Sequence, residues 1–116
     1  MSGMFLNSKA QSIDLASFNT SNVTNMWGMF YGSIATSLDL SSFDTSNVSD
    51  MTGMFLESKA TSLDLSSFDT SKVIDMDSMF YECDATTGYA RTQADADKFN
   101  SSYLKPSTLT FVVKGS

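Results

Sequence analysis

The stretch SLDLSSFDTSNVSDMTGMF, residues 37–55, decides the fold because the chain repeats it. Near-copies occupy residues 12–30 and 62–80, so the period is 25 residues. Repetition at a period of this size is typical of stacked repeat proteins, in which one unit can bury its apolar face only against its neighbours. The sequence therefore predicts a stack of about three similar units.

Each unit changes its hydrophobic period once. Residues 38–40 (Leu-Asp-Leu) alternate, which indicates a short strand with its aliphatic side chains inward. Residues 44–46 (Asp-Thr-Ser) are turn and cap residues, and the threonine column is interpreted as an inward ladder of hydroxyls bonded to the backbone of the loops. The apolar residues of 48–55 lie at steps of three, three and one, which predicts a short helix.

The pattern fades towards the C-terminus, where a different segment follows. Thr92 with Asp95 three residues later resembles a capping box and predicts the start of a helix. Residues 108–113 alternate and predict a terminal strand. We therefore predict a repeat array over residues 4–87 and a capping segment of helix and strand over residues 88–116, together forming one structural domain.

The N-terminus predicts a fragment cut from a longer array. Residues 1–3 (Met-Ser-Gly) are interpreted as an expression remnant, and Met4-Phe5 begins in the middle of a unit. The first strand, near residues 12–15, would then lack an upstream neighbour. Because an open strand edge can pair with another chain, we expect self-association through this edge.

Composition excludes several classes of function. The chain has 7 Lys and Arg against 13 Asp and Glu, a net charge of −6, which disfavours nucleic-acid partners. It contains no His and one Cys, which excludes His-based catalytic triads and zinc sites built on His or on several Cys. No apolar run approaches the roughly 20 residues of a membrane-spanning helix. We predict no cofactor and no membrane span.

The repeated unit resembles the BspA-type leucine-rich repeat, a 26-residue repeat of bacterial surface proteins. The shared pattern, L-D-L-S-x-F-D-T-S-x-V-x-x-M-x-x-M-F, covers about residues 4–81. With the periodicity, the resemblance implies an α/β solenoid. This would be a leucine-rich-repeat-like stack of about three 25-residue units, each a short parallel strand, a capped loop and a short helix, closed by a C-terminal cap.

The resemblance also implies an extracellular location on the surface of a Gram-positive bacterium, and adhesion to a host protein or glycan. The alternative is a structural spacer that holds other domains away from the cell wall. Paired Asp residues could serve a glycosidase, but equal columns in every repeat give no asymmetric acid and base. We therefore expect a non-catalytic protein.

Two sets of residues are candidate ligand-binding positions. Asp14, Asp39 and Asp64 share one column on the outward strand face, and stacked carboxylates repel one another unless a cation or donor lies between them. Calcium could bridge such oxygens, or Ser12, Ser37 and Ser62, together with water and nearby Lys side chains, could relieve the repulsion. Trp27 occupies a column otherwise held by polar residues, so it either anchors a partner or covers the cut end of the stack.

Overall fold

Two parallel sheets and one helix form the framework of the computed structural model, which describes residues 12, 13, 15 and 19–114. In the first sheet, β1 (Ser12–Ile13) pairs with β2 (Ser37–Leu38). The second is an open sheet whose strands lie in the order β3 (Ser62–Leu65), β4 (Thr87–Ala90) and β5 (Thr110–Val113). Helix α1 (Gln93–Asn100) connects β4 to β5.

The predicted α/β solenoid, a leucine-rich-repeat-like stack of three strand–loop–helix units, is wrong. The structure is a small compact domain with an open three-stranded parallel sheet and, within residues 19–114, a single helix. Its extents along the principal axes are 32, 31 and 26 Å, so no direction dominates. The three segments predicted as short helices, residues 23–30, 48–55 and 73–80, consist of turns and isolated bridges.

The backbone hydrogen bonds explain why these segments are not helical. An α-helix needs each N–H to donate to the carbonyl four residues earlier. Here alternate N–H groups donate to the equivalent segment instead: Met51 to the Asp75 carbonyl and Phe55 to the Met79 carbonyl, both at 2.9 Å. Gly53, with φ +62°, lies in the left-handed region. Apolar residues at steps of three therefore mark successive tight turns in this chain.

The buried core is organised around aligned aromatic rings. Phe30 and Phe55 stack with centroids 5.6 Å apart, and Phe55 and Phe80 follow at 6.0 Å. The column ends where Phe80 meets Phe99 of α1 edge-on and Phe111 of β5 at a tilt. All five rings are at most 2% exposed. Helix α1 and strand β5 thus close the core, because their Phe99 and Phe111 rings lie at an angle to the stacked column.

The sheet contains a strand, β4, that sequence patterning did not predict. In register, Gly88 lies opposite Leu63 on one side and opposite Phe111 on the other. A Cβ at Gly88 would lie 2.4 Å from Cδ1 of Phe111, so the aromatic ring occupies that space. Strand β4 therefore carries a glycine where the three repeats carry isoleucine or leucine, which removes the alternating apolar signal.

The predicted helix and terminal strand are both present near the C-terminus. The hydroxyl of Thr92 caps α1 by accepting from the Asp95 N–H. At the end of the helix, the Asn100 amide accepts from the Phe111 N–H at 2.8 Å and donates to the Phe111 carbonyl at 3.0 Å. This amide therefore pairs with β5 as a strand residue would. The proposed boundary between residues 4–87 and 88–116 stays a prediction.

Candidate functional site

A groove of about 440 Å³ lies between β2 and β3. Two carboxylates, one ammonium group and several hydroxyls face it. The lining residues are Ser37, Leu38, Asp39, Leu40, Ser41, Asp64, Ser66, Ser67 and Lys114. Because they come from β2, β3 and the end of β5, the groove depends on the folded arrangement of all three strands.

The groove coincides with an interruption between the two sheets. Among the described residues, β2 pairs with β1 and β3 with β4, but no ladder joins β2 to β3. The two segments are still held side by side at both ends. The Thr61 N–H donates to the Thr36 carbonyl at 3.2 Å, and the Ser67 hydroxyl donates to the Leu40 carbonyl at 2.8 Å.

Asp39 forms a tight turn with Ser41 at the end of β2. Its Oδ1 accepts from the Ser41 N–H at 3.0 Å and from the Ser41 hydroxyl at 2.6 Å. These two hydrogen bonds, the hydroxyl first, lower the pKa of Asp39 below its ordinary value. At neutral pH the groove therefore carries an ionised carboxylate whose Oδ2 makes no hydrogen bond within the described part of the chain.

Asp64 repeats this geometry one unit later and adds an ion pair. Its Oδ1 accepts from the N–H and the hydroxyl of Ser66, at 3.0 and 2.6 Å. Its Oδ2 lies 2.5 Å from the Lys114 ammonium. Burial raises the pKa of Asp64, but the hydrogen bonds from Lys114 and Ser66 together outweigh burial and lower it. In return, Asp64 raises the pKa of Lys114.

The structure brings two of the predicted ligand-binding residues together. Asp39 and Asp64 both line the groove, whereas Asp14 lies outside the described residues. Within those residues, no group of three His, Cys, Asp or Glu side chains is placed to hold a metal ion. The calcium hypothesis needs Asp14 and stays a prediction.

Trp27 lies apart from the groove. Trp27 lies in a turn that begins at Asn25, and Oδ1 of Asn25 accepts a hydrogen bond from the backbone N–H of Trp27 at 2.8 Å. The residue is 41% exposed. Partial exposure is compatible with a partner anchor, and Trp27 is not among the residues that line the groove.

The other polar columns have structural roles. The Thr45 hydroxyl donates to the Asp69 carbonyl at 2.9 Å and accepts from the Asp69 N–H at 2.8 Å, which confirms the inward hydroxyl ladder. Oδ1 of Asp44 accepts hydrogen bonds from the N–H and the hydroxyl of Ser46, as Oδ1 of Asp39 does from Ser41. Similar chemistry at many turns therefore does not mark a site, and Asp69, which accepts from the Ser71 N–H, also has a cation beside it, Arg91 at 3.4 Å. The groove is distinguished by its shape and by the two turn carboxylates that face it.

Lys114 is the charged groove residue that sequence reasoning missed, and the roles of Ser41 and Ser66 as partners of the two carboxylates were missed as well. Lys114 is 50 residues from Asp64 and follows directly after β5. Only the register of β3, β4 and β5 brings its side chain across the outer face of the sheet. Without knowledge of β4, no sequence signal could pair the two residues.

No helix within the described residues has the length and apolar character needed to cross a membrane. Comparison with known proteins finds no match among curated proteins and none among solved structures. A family model described as "Mycoplasma protein of unknown function, DUF285" matches residues 1–100. Since that match spans most of the 116 residues, the chain belongs to the DUF285 family.

Proposed function

We propose that this domain is a non-catalytic binding module of a bacterial cell-surface protein and that the groove between β2 and β3 holds its polar ligand. The groove carries the proposal. Its volume of about 440 Å³ lies within the range of about 300–1,000 Å³ that is common for ligand pockets. The surface location and the adhesive role rest on the resemblance to BspA-type repeats.

The electrostatics of the groove favour binding over catalysis. General acid catalysis by a carboxyl pair needs one member with a raised pKa, so that it keeps its proton at neutral pH. Hydrogen bonds lower the pKa of both Asp39 and Asp64. Two ionised carboxylates can hold a ligand, but neither can donate a proton.

Binding is also favoured over a purely structural spacer. In a spacer, polar side chains need only satisfy the fold, as Thr45 does with the backbone of Asp69. The outward oxygen of Asp39 has no such partner within the described residues, and it faces a groove instead of a flat surface. A polar atom that the fold does not use is available to a ligand.

The test is a binding screen against host matrix proteins and glycans with two matched variants. Asp39→Asn removes the groove charge, and Asp44→Asn removes an equivalent charge outside the groove lining. Both should fold, because Asn19 already makes the same turn by accepting from the N–H and hydroxyl of Ser21 at 3.1 and 2.7 Å.

We expect at least one ligand whose affinity falls about tenfold or more with Asp39→Asn and is unchanged with Asp44→Asn. Equal effects of the two variants would mean that overall charge, and not the groove, determines binding. If nothing in the screen bound the wild-type domain, the binding function would be rejected in favour of the spacer.

A further inference from the structure

We infer that the groove recognises a lysine side chain of a protein partner, with Asp39 as the carboxylate that receives the ammonium. The inference deepens the proposed binding function and depends on it. It rests on an ammonium that the chain itself places against the equivalent carboxylate in the same groove.

Lys114 shows how this groove holds an ammonium. Its Nζ lies 2.5 Å from Oδ2 of Asp64, while Oδ1 of Asp64 remains bonded to Ser66. The lysine stem reaches Asp64 from the end of β5, over the outer face of the sheet. The turn with Ser66 therefore holds the carboxylate in place and leaves its outward oxygen for a cation.

Asp39 offers the same arrangement without the cation. Its distances to the N–H and hydroxyl of Ser41, 3.0 and 2.6 Å, equal those of Asp64 to Ser66. No ion pair involves Asp39 within the described residues, and the nearby charge of Asp64 opposes its ionisation. A second ammonium would offset that repulsion at Asp39, just as the Lys114 ammonium lowers the pKa of Asp64.

The turn geometry favours lysine over arginine. A guanidinium binds a carboxylate best through two parallel hydrogen bonds, one to each oxygen. Oδ1 of Asp39 already accepts two hydrogen bonds from Ser41, so only Oδ2 is available. A single available oxygen suits the compact ammonium, which acts as a point charge. Arginine does approach one such turn, at Asp69, but the Arg91 guanidinium lies 3.4 Å from Oδ1 there, whereas the Lys114 ammonium lies 2.5 Å from Oδ2 of Asp64. The net charge of −6 further attracts cationic partners over long range.

The experiment is an NMR titration of the ¹⁵N-labelled domain with Nα-acetyl-lysine methylamide. We expect saturable shifts at the amides of Asp39 and Ser41. The same compound acetylated on Nε, which has no charge, should bind at least fivefold more weakly. Asp39→Asn should remove the shifts, and Asp44→Asn should leave them unchanged. Equal shifts with the acetylated compound, or equal shifts around Asp44, would overturn the inference.

Lys114→Ala provides a second and independent readout. It frees Oδ2 of Asp64, so the variant should gain a second binding event, seen as new saturable shifts at the Ser66 amide. If Ser66 did not respond, the equivalence of the two carboxylates would be disproved, whatever happened at Asp39.

A neutral oligosaccharide, maltotriose, separates failure of the inference from failure of the proposed function. Groove shifts with maltotriose, but none with the lysine compound, would reject lysine recognition and leave the binding module standing. No shifts with either probe, together with a negative binding screen, would reject both.

Discussion

Replacing Gly88 with alanine should destabilise the domain, because β4 packs directly under an aromatic ring. A Cβ at this position would lie 2.4 Å from Cδ1, 2.5 Å from Cε1 and 2.8 Å from Cγ of Phe111. Ordinary contacts between carbon atoms are about 3.5–4.0 Å. The ring or the strand must therefore move by about 1 Å.

The surroundings leave the ring little room to move. Phe111 is 2% exposed, and its centroid lies 4.9 Å from those of both Phe80 and Phe99. Overpacking a core in this way typically costs about 1–3 kcal/mol. Alanine also restricts the unfolded chain, which stabilises by about 0.4–1 kcal/mol. We expect a net loss of about 1–2 kcal/mol in the free energy of unfolding, or very roughly 3–10 °C in Tm.

Urea unfolding and thermal melts of Gly88→Ala, Phe111→Leu and the double variant would measure this coupling. A smaller ring substitute makes room for the new methyl group, so the double variant should be more stable than the sum of the single changes predicts. Gly53→Ala is the control. Its Cβ would lie 3.7 Å from the nearest atom, but its φ of +62° strains alanine, so it should combine additively with Phe111→Leu. A Gly88→Ala variant as stable as wild type, or additivity between Gly88→Ala and Phe111→Leu, would refute the reasoning.

Three further predictions concern other parts of the domain. Asn100→Leu removes the amide that pairs with Phe111 on β5, so we expect a loss of about 1–3 kcal/mol and concentration-dependent self-association, measured by urea unfolding and light scattering. Burial raises the pKa of Asp95, but hydrogen bonds from Thr70, Thr92 and Arg91 outweigh it and lower the pKa. Ionised Asp95 therefore stabilises the folded domain. This contribution is complete above the unfolded-state pKa of about 3.9 and is lost as pH falls through the lower pKa of Asp95 in the folded domain, so Tm should drop more steeply below pH 4 in wild type than in Asp95→Asn. Burial also raises the pKa of the Cys83 thiol, which is 7% exposed, so a thiol reagent should label Cys83 in the native domain far more slowly than in the urea-unfolded chain; equal rates would contradict this.

Local chemistry could be predicted from the sequence where it depends on neighbouring residues. Thr92 caps α1, and the turn residues bond the loop backbone, because these interactions span two or three positions or repeat between units. The predicted short helices failed because steps of three describe both a helical stripe and successive turns, and the sequence does not reveal that Met51 donates to Asp75.

The site could be predicted only in part. Asp39 and Asp64 follow from their repeated column, but Lys114 does not, because its approach depends on β4. Strand β4 was not predicted because it carries Gly88 at an inward position. A glycine is needed there because the ring of Phe111, which is distant in sequence, covers the backbone. Residues whose type is determined by a distant partner carry no local signal.

The hydrogen bonds from hydroxyl groups of one segment to the backbone of the next also affect how fast the chain folds. The Thr45 hydroxyl and the Asp69 backbone are 24 residues apart, and the Ser67 hydroxyl and the Leu40 carbonyl are 27 apart. Separations of about this size in a chain of 116 residues correspond to a relative contact order of roughly 0.2, a value typical of all-β domains that fold in milliseconds to seconds. The backbone groups of one segment can form these hydrogen bonds only after the neighbouring segment has packed against it. Stopped-flow refolding should therefore be slow for so small a domain.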